Sequence, residues 1–314
     1  MRSKESSIPY DLLLVYNPQI MIINDALTAV FKQLTAADLF YGHGLNDAWD
    51  ESVMLVFSVL ALALDSDESV LEHSLTDNQW QQIQQLVQRR INERVPIAYL
   101  VNKAWFMGLP FYIDERVLIP RSPFGEWLER RFSPWVDPSH IKRILEIGTG
   151  SGCMAIAASY VFPEAQIDAL DISTDALAVA KHNVHQHHVE ERVRLIQSDC
   201  FSALVPKQQY DLIISNPPYV SQAEIEELPS EYQHEPVKTA LYASDEGMSI
   251  VSTILREASE YMTEHAILVV EVGYSDQQLI ECYPHAPFTW LECEFGGQGL
   301  FLLTREQLET INVR

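Results

Sequence analysis

Two hydrophobic rhythms divide the chain. From Pro18 to about Arg94, apolar residues recur at helical spacing, with Ile22, Ile23, Leu27, Val30, Phe31 and Leu34 in the first run. Tyr41-Gly42-His43-Gly44 interrupts, as paired glycines do, and Val53 to Leu64 reads as a buried helix. Thr76 then has the character of an N-cap before Trp80, Ile83, Leu86, Val87, Arg90 and Ile91. The pattern predicts a bundle of four or five helices within residues 1–95. Between Val95 and Pro120 short β-type runs take over: Ala98-Tyr99-Leu100-Val101, Trp105-Phe106-Met107, Phe111-Tyr112-Ile113 and Val117-Leu118-Ile119, punctuated by Gly108-Leu109-Pro110. They predict a hairpin-like bridge over residues 96–120. Pro120-Arg121 closes it and Ser122-Pro123 opens the next helix; Arg121 either reaches the cleft of the following domain or makes a surface salt bridge.

Residues 121–314 form the remaining domain, where strand and helix alternate from Ile141 onward. Strands are predicted at Ile144–Ile147, Ile167–Leu170, Val193–Ile196, Leu212–Ile214 and Ala266–Val272, with helices at Met154–Tyr160, Asp175–His188 and Met248–Met262. That is the signature of a doubly wound α/β fold with a mostly parallel sheet. The end departs from it: Thr289–Phe295, Gly296-Gly297-Gln298-Gly299 and Leu300–Leu303 read as an antiparallel hairpin.

The strand ends carry the chemistry. Glu146-Ile147-Gly148-Thr149-Gly150-Ser151-Gly152 lies where the first strand turns into its helix, and glycines there let a ligand approach the backbone. Cys153 stands where a dinucleotide loop would place its third glycine; it reads as a small core residue. Asp171 ends the second strand, followed by Ile172, and suits the ribose hydroxyls of an adenosyl group; Asp199, beside Cys200 after the third strand, suits an adenine amino group. On the fourth strand comes Asn216-Pro217-Pro218-Tyr219. Each proline fixes its own φ and pushes the residue before it out of the helical region, so Asn216 and Pro217 are extended. The Asn216 side chain and the Pro217 carbonyl are two acceptors for a planar NH₂ group, and Tyr219 adds an aromatic face. In an open α/β sheet these strand ends share one crevice. Together they predict an S-adenosyl-L-methionine site with Asn216 at the reacting end and no metal.

Charge narrows the partners. The chain of 314 residues is 47% hydrophobic and carries 21 Lys and Arg against 44 Asp and Glu, a formal net charge of −23. That surface repels a phosphate backbone and attracts a basic protein. Cys153, Cys200, Cys282 and Cys293 show no paired spacing and are expected as reduced thiols. No apolar run is long enough for a bilayer, and Met1 to Tyr10 is polar, so a cytoplasmic protein is expected.

These motifs resemble the Rossmann-like class I S-adenosylmethionine-dependent methyltransferases and, within them, the glutamine methyltransferases that modify translation proteins. Asp171-Ile172-Ser173, Ala176-Leu177, Ala180, Asn183 and Ser215-Asn216-Pro217-Pro218-Tyr219 carry the likeness. Ile119-Pro120-Arg121-Ser122-Pro123-Phe124-Gly125-Glu126 departs from the release-factor branch and is similar to the branch acting on ribosomal protein L-three. So are Tyr41-Gly42-His43-Gly44 with Ala48 and Asp50-Glu51, Glu93 to Leu100, Glu231-Tyr232 and His234-Glu235-Pro236. Two departures stand out: Glu246-Gly247 where the resemblance implies Asp-Gly, and Cys200 where the release-factor branch often has tryptophan. The resemblance implies a mostly parallel seven-stranded sheet with an antiparallel C-terminal hairpin, and a small helical N-terminal domain for substrate recognition. It also implies methyl transfer to a glutamine amide of large-subunit ribosomal protein L-three, with no membrane and no sequence-specific nucleic acid as partner. Release-factor methylation, methylation of an exocyclic amine in DNA and a non-enzymatic assembly role are the alternatives; the acidic balance opposes the DNA reading.

Other groups read as structural. Gly296-Gly297-Gln298 copies the tripeptide that release-factor enzymes modify, but glycines between strands are hairpin chemistry. His182, His185, His187 and His188 are expected on a solvated helix face, His43 in a structural role and His234-Glu235 as part of a cover over the substrate.

Overall fold

The computed structural model describes residues 21–205, 208–220, 222–236, 248–294 and 296–312. Met1–Tyr10, Pro18, Glu246-Gly247 and Phe295, which entered the reading above, lie outside them.

Among the described residues the N-terminal part is built on helices α1 (Ile23–Ala36), α2 (Ala48–Val59) and α3 (Asp77–Asn92), with a 3₁₀ segment Glu68–Glu72. Helix α1 buries Ile23, Ala26, Leu27, Val30 and Leu34, one stripe at i, i+3, i+4, i+7 and i+11. The Asp47 carboxylate accepts the Trp49 and Asp50 amides and starts α2. That helix ends at Val59, short of the predicted Leu64, and Ala61 turns the chain at φ 53°. Thr76 and Gln79 close a capping box on α3. The predicted β-type run Ala98–Val101 is instead the one-turn helix α4 (Ile97–Leu100), in which the Tyr99 and Leu100 amides donate to the Pro96 carbonyl. A short unbroken apolar run has no period with which to tell the two apart.

Strands β1 (Ala104–Phe106) and β2 (Leu109–Phe111) form the bridge hairpin through Met107-Gly108, both at positive φ as a two-residue hairpin turn requires. Val117-Leu118-Ile119, expected as a strand, is a buried strap outside any sheet. Helix α5 (Phe124–Glu129) follows Pro123.

Then come β3 (Arg143–Ile147), α6 (Cys153–Val161), β4 (Gln166–Asp171), α7 (Thr174–Gln186), β5 (Val193–Gln197), β6 (Tyr210–Ser215), α8 (Gln222–Glu227), α9 (Ser249–Glu257), β7 (Met262–Glu271), α10 (Asp276–Cys282), β8 (Thr289–Leu291), β9 (Leu300–Thr304) and α11 (Arg305–Asn312). The predicted helix Met248–Met262 gives way to a 3₁₀ turn at Ala258–Tyr261, and β7 already begins at Met262. The sheet has seven strands in the order β5-β4-β3-β6-β7-β9-β8, parallel from β5 to β7 and antiparallel at β9 and β8. Apolar cores cover both faces, with Ile144, Ile156 and Ile214 in one and Leu145, Ile213 and Ile254 in the other. Chain order reverses across β3 and β6, and such a reversal opens a crevice at the carboxyl ends of the strands.

A buried ionic joint ties the helices to the segment that follows β6. Arg90, on the inner face of α3, is wholly buried; its Nε donates to Glu51 Oε2 at 2.8 Å and its Nη1 to Glu231 Oε1 at 3.1 Å. Nη2 also reaches the Phe40 carbonyl, and the Phe40 amide returns to Glu231 Oε1 at 3.0 Å. Glu231 lies 15 residues beyond Asn216, so the joint fixes the segment that follows the clamp. Arg90→Ala strands two buried carboxylates. Its unfolding free energy in urea should fall by about 3–5 kcal/mol; an unchanged denaturation midpoint would show that the joint is energetically idle.

Candidate active site

The glycine loop is held by the backbone of the neighbouring strand. Gly148 and Thr149 amides both donate to the Leu170 carbonyl, at 2.9 and 2.8 Å. Asp171 completes the hold: Oδ2 accepts the Gly150 amide at 2.8 Å and Oδ1 the Ser173 amide at 2.9 Å. Burial raises the Asp171 pKa, and those backbone hydrogen bonds oppose the rise. Gly150 sits at φ 54° and Gly152 at φ 81°, where side-chain-bearing residues are strained. A Cβ on Gly152 would also come within 3.3 Å of Ala180 Cβ, so this glycine sets the approach of α6 to α7.

Glu146 lies beneath the loop with no exposure; Thr149 Oγ1 donates to its Oε2 at 2.6 Å, while Oε1 has no partner among the described residues. Burial pushes its carboxyl up to about 8. An orphaned buried acceptor favours a donor from outside the chain.

Two clefts open at these strand ends. The first encloses about 1050 Å³ of empty space and is lined by Glu146, Gly148, Thr149, Gly150, Ser151, Asp171, Ile172, Asp199, Cys200 and Asn216. Gly152 is absent from the lining, since its place is the helix contact just described. Cys153, expected in the core, also faces this cleft, and burial pushes its thiol up to about 12. The second cleft, of about 900 Å³, is lined by Asn216, Pro217 and Tyr219 with Ser122, Glu271, Gly273 and Gln298 among others. Pro218 lines neither, and its service is to restrain Pro217 from the following position.

Asn216 belongs to both clefts, as do Leu118, Arg121 and Ser122. Among the described residues no hydrogen bond engages the Asn216 carboxamide. Tyr219 is fixed at its far end: its hydroxyl donates to Glu271 Oε1 at 3.1 Å, and its ring would collide with any Cβ on Gly273, at 2.5 Å.

Arg121 faces both clefts and forks onto the buried Glu235, Nη2 to Oε2 at 2.8 Å with Nη1 on Oε1. Its guanidinium lies 5.1 Å over the Tyr232 ring. His43 is buried against that ring at 4.5 Å, with Nε2 unpartnered among the described residues and 3.9 Å from Glu235 Oε1. Burial first, then Arg121, holds His43 down to about 3, so it is neutral. An acidic companion for His43 thus comes from 192 residues away, which spacing cannot disclose. His234 and Glu235 hold different groups: His234 Nε2 meets the Glu93 carbonyl at 2.7 Å while Glu235 serves Arg121.

Of the four histidines expected on a solvated face, His182, His185 and His188 are exposed, and the half-buried His187 packs on Phe111 of the bridge at 4.9 Å. His182 also lies 4.6 Å from the Tyr112 ring, and His185 pairs with Glu190 at 2.8 Å. The expected hairpin forms, β8 against β9 with Gly296 and Gly297 at positive φ, and it leaves Gln298 exposed on the rim of the second cleft. Ser122 and Glu271 were missed; the available signal for the latter was a carboxylate closing the otherwise apolar run Ala266–Val272 beside the clamp strand.

A family model described as "Methyltransferase small domain" matches residues 133–240. The chain is 45% identical, over 91% of each chain, to the ribosomal protein uL3 glutamine methyltransferase of Francisella tularensis. It is 40% identical to the protein of the same name from Bordetella pertussis, over 93% of this chain and 98% of that one. Among solved structures, the hMettl16 catalytic domain in complex with an RNA hairpin matches 74% of this chain and 85% of its own at 16% identity and a TM-score of 0.49.

One buried side chain joins the bridge to the glycine loop. Asn183 accepts the Tyr112 amide at 2.8 Å and donates to the Tyr112 and Ser151 carbonyls, each at 2.9 Å. Asn183→Ala should cost about 2–3 kcal/mol in denaturant unfolding, and hydrogen exchange at the Tyr112 amide should quicken. Unaltered protection of that amide would contradict the clamp.

Proposed function

Since the chain belongs to the family of ribosomal protein uL3 glutamine methyltransferases, we propose that it moves a methyl group from S-adenosyl-L-methionine to the side-chain amide nitrogen of a glutamine in ribosomal protein uL3. The observation that carries this reading is Asn216, a carboxamide without a hydrogen bond among the described residues that forms part of the wall of two clefts at once.

The first cleft fits the donor by its own chemistry. Glu146 Oε1, buried and orphaned, suits an ammonium group. Asp171 spends one lone pair of each oxygen on backbone amides and keeps others for ribose hydroxyls. Asp199, Ile172 and Cys200 supply an acceptor and apolar surface for the base. When bound, the donor supplies a methyl carbon on a sulfonium sulfur, which keeps the electron pair of the broken C–S bond.

The remaining work falls to the chain. An amide nitrogen is a poor nucleophile because its lone pair is delocalised into the carbonyl. Asn216 Oδ1 and the Pro217 carbonyl accept its two N–H groups and so turn the remaining lone-pair direction toward the first cleft, which converts binding into alignment. Both hydrogen bonds strengthen as positive charge gathers on nitrogen, so they favour the transition state over the bound amide. Tyr219 limits where the amide plane can lie, because its hydroxyl is tied to Glu271. The net charge of −23 steers a basic ribosomal protein in and disfavours a nucleic-acid substrate.

Mass spectrometry of ribosomal proteins and release factors from a strain lacking this chain tests the assignment. Loss of one methyl's mass from uL3 is expected, and loss from a release factor with uL3 intact would replace it. Asn216→Ala should lower kcat about 10²–10³-fold while calorimetric affinity for S-adenosylmethionine changes much less. Near-wild-type turnover would remove Asn216 from this role.

A further inference from the structure

Methylation leaves the amide nitrogen with one hydrogen too many, and the clamp cannot keep it. A carboxamide and a backbone carbonyl accept hydrogen bonds but are too weakly basic to hold a proton near neutrality. Among the described residues lining the second cleft, Glu271 is the one carboxylate. It ends β7, immediately beside the clamp strand, since Ser215 pairs with Val270. Its side chain is 5% exposed, and each oxygen takes one donor: Tyr219 Oη at 3.1 Å on Oε1 and Ser122 Oγ on Oε2.

We infer that Glu271, reached through the Tyr219 hydroxyl, is the group that removes the amide proton once the methyl has been transferred; this rests on the glutamine reading above. The step balances. After the transfer one N–H turns from its clamp acceptor to Tyr219 Oη; that N–H bond breaks and its electron pair stays on nitrogen, restoring a neutral secondary amide. The proton bonds to Tyr219 Oη as the phenol's own proton passes to Glu271 Oε1, so Tyr219 ends unchanged and Glu271 becomes a carboxylic acid. It returns that proton to water when the product leaves.

The surroundings suit an acceptor of moderate strength. Tyr219 faces Glu271 from beyond β6, Ser122 and Arg121 from the strap before α5, Tyr274 from beyond β7 and Cys293 from beyond β8. Burial pushes the Glu271 carboxyl up to about 7, against the hydrogen bonds of Ser122 and Tyr219 and the charge of Arg121. Arg121 is itself committed to Glu235, so it moderates Glu271 without neutralising it outright. Tyr219 has its pKa raised by burial and by Glu271, which favours a hydroxyl that passes a proton along over one that loses it. A raised carboxyl is ionised above its pKa, so the resting enzyme accepts a proton there and loses that capacity as pH falls through about 7.

The test compares wild type, Glu271→Gln, Glu271→Asp, Tyr219→Phe and the Glu271→Gln/Tyr219→Phe double variant on recombinant uL3, with kcat and KM measured across the neutral range. Calorimetric binding of S-adenosylmethionine reports that each is folded. The wild-type kcat should rise with pH through about 7 and level off. Glu271→Gln should lower kcat about 10²-fold with little change in KM and lose the rising limb. Tyr219→Phe should do the same, and the double variant should be no worse than either alone. Glu271→Asp should restore the limb. A Glu271→Gln enzyme that keeps the limb, or keeps wild-type kcat, overturns the inference and leaves the glutamine reading standing; wild type that leaves uL3 unmodified sinks both.

Discussion

Ile147 pairs with Ser215 across the parallel strands β3 and β6, and Ser215 Oγ adds a bond to the Ile147 carbonyl at 2.8 Å. Each is the last residue before a functional turn, Gly148 on one side and Asn216 on the other. This single register places the glycine loop and the clamp next to each other. Side chains alternate across a sheet, so a slip by one residue would send the clamp to the opposite face and separate the two clefts. Both strands are apolar on both faces and buried in two separate cores.

Around that fixed centre the chain has placed its charges in pairs. Arg90 holds Glu51 and Glu231, and Arg121 holds Glu235, so the segment just past the clamp is anchored at two points to the helical part and the bridge. Buried ion pairs of this kind add little net stability over apolar packing, but removing one partner is severe. Their effect is positional: they fix the wall of the substrate-side cleft without a covalent link. Among the described residues, three buried or nearly buried carboxylates near the site remain outside such pairs. Glu146, Asp171 and Glu271 are each raised by desolvation, and each lies on the lining of a cleft. Unpaired buried acidity is costly, and here it collects where a ligand or a proton would relieve it.

The alternation of strand and helix from Ile141 made the sheet legible, because fully buried parallel strands read as unbroken apolar runs between helical patterns. Glycines, aspartates and the Asn-Pro-Pro-Tyr corner stand at strand ends, so the polar strand-end part of the cleft lining could be named in advance. The bridge was less legible. Ala98–Val101 became a helical turn and Val117–Ile119 a strap, since four apolar residues in a row carry no periodicity and their neighbours decide. Glu271 left only the trace of a carboxylate in an apolar run, and the partners of Glu271, Ser122 and Glu235 were not legible. Each acts on a group more than 50 residues away in sequence.

By itself, then, the sequence determined what is local: which segments are helix or strand, where the chain turns, and which polar groups stop at the end of an apolar run. These follow from torsional preference, capping and side-chain period, all of which act over a few residues. The tertiary structure alone decided which of those ends meet. It set Asn216 between two clefts, gave Tyr219 a carboxylate, moved His43 beside Glu235 and put Gln298 on the rim of the substrate-side cleft. The reason is physical: contacts between distant segments are chosen by the packing of whole sheet faces, and no local pattern carries the sheet order that brings them together.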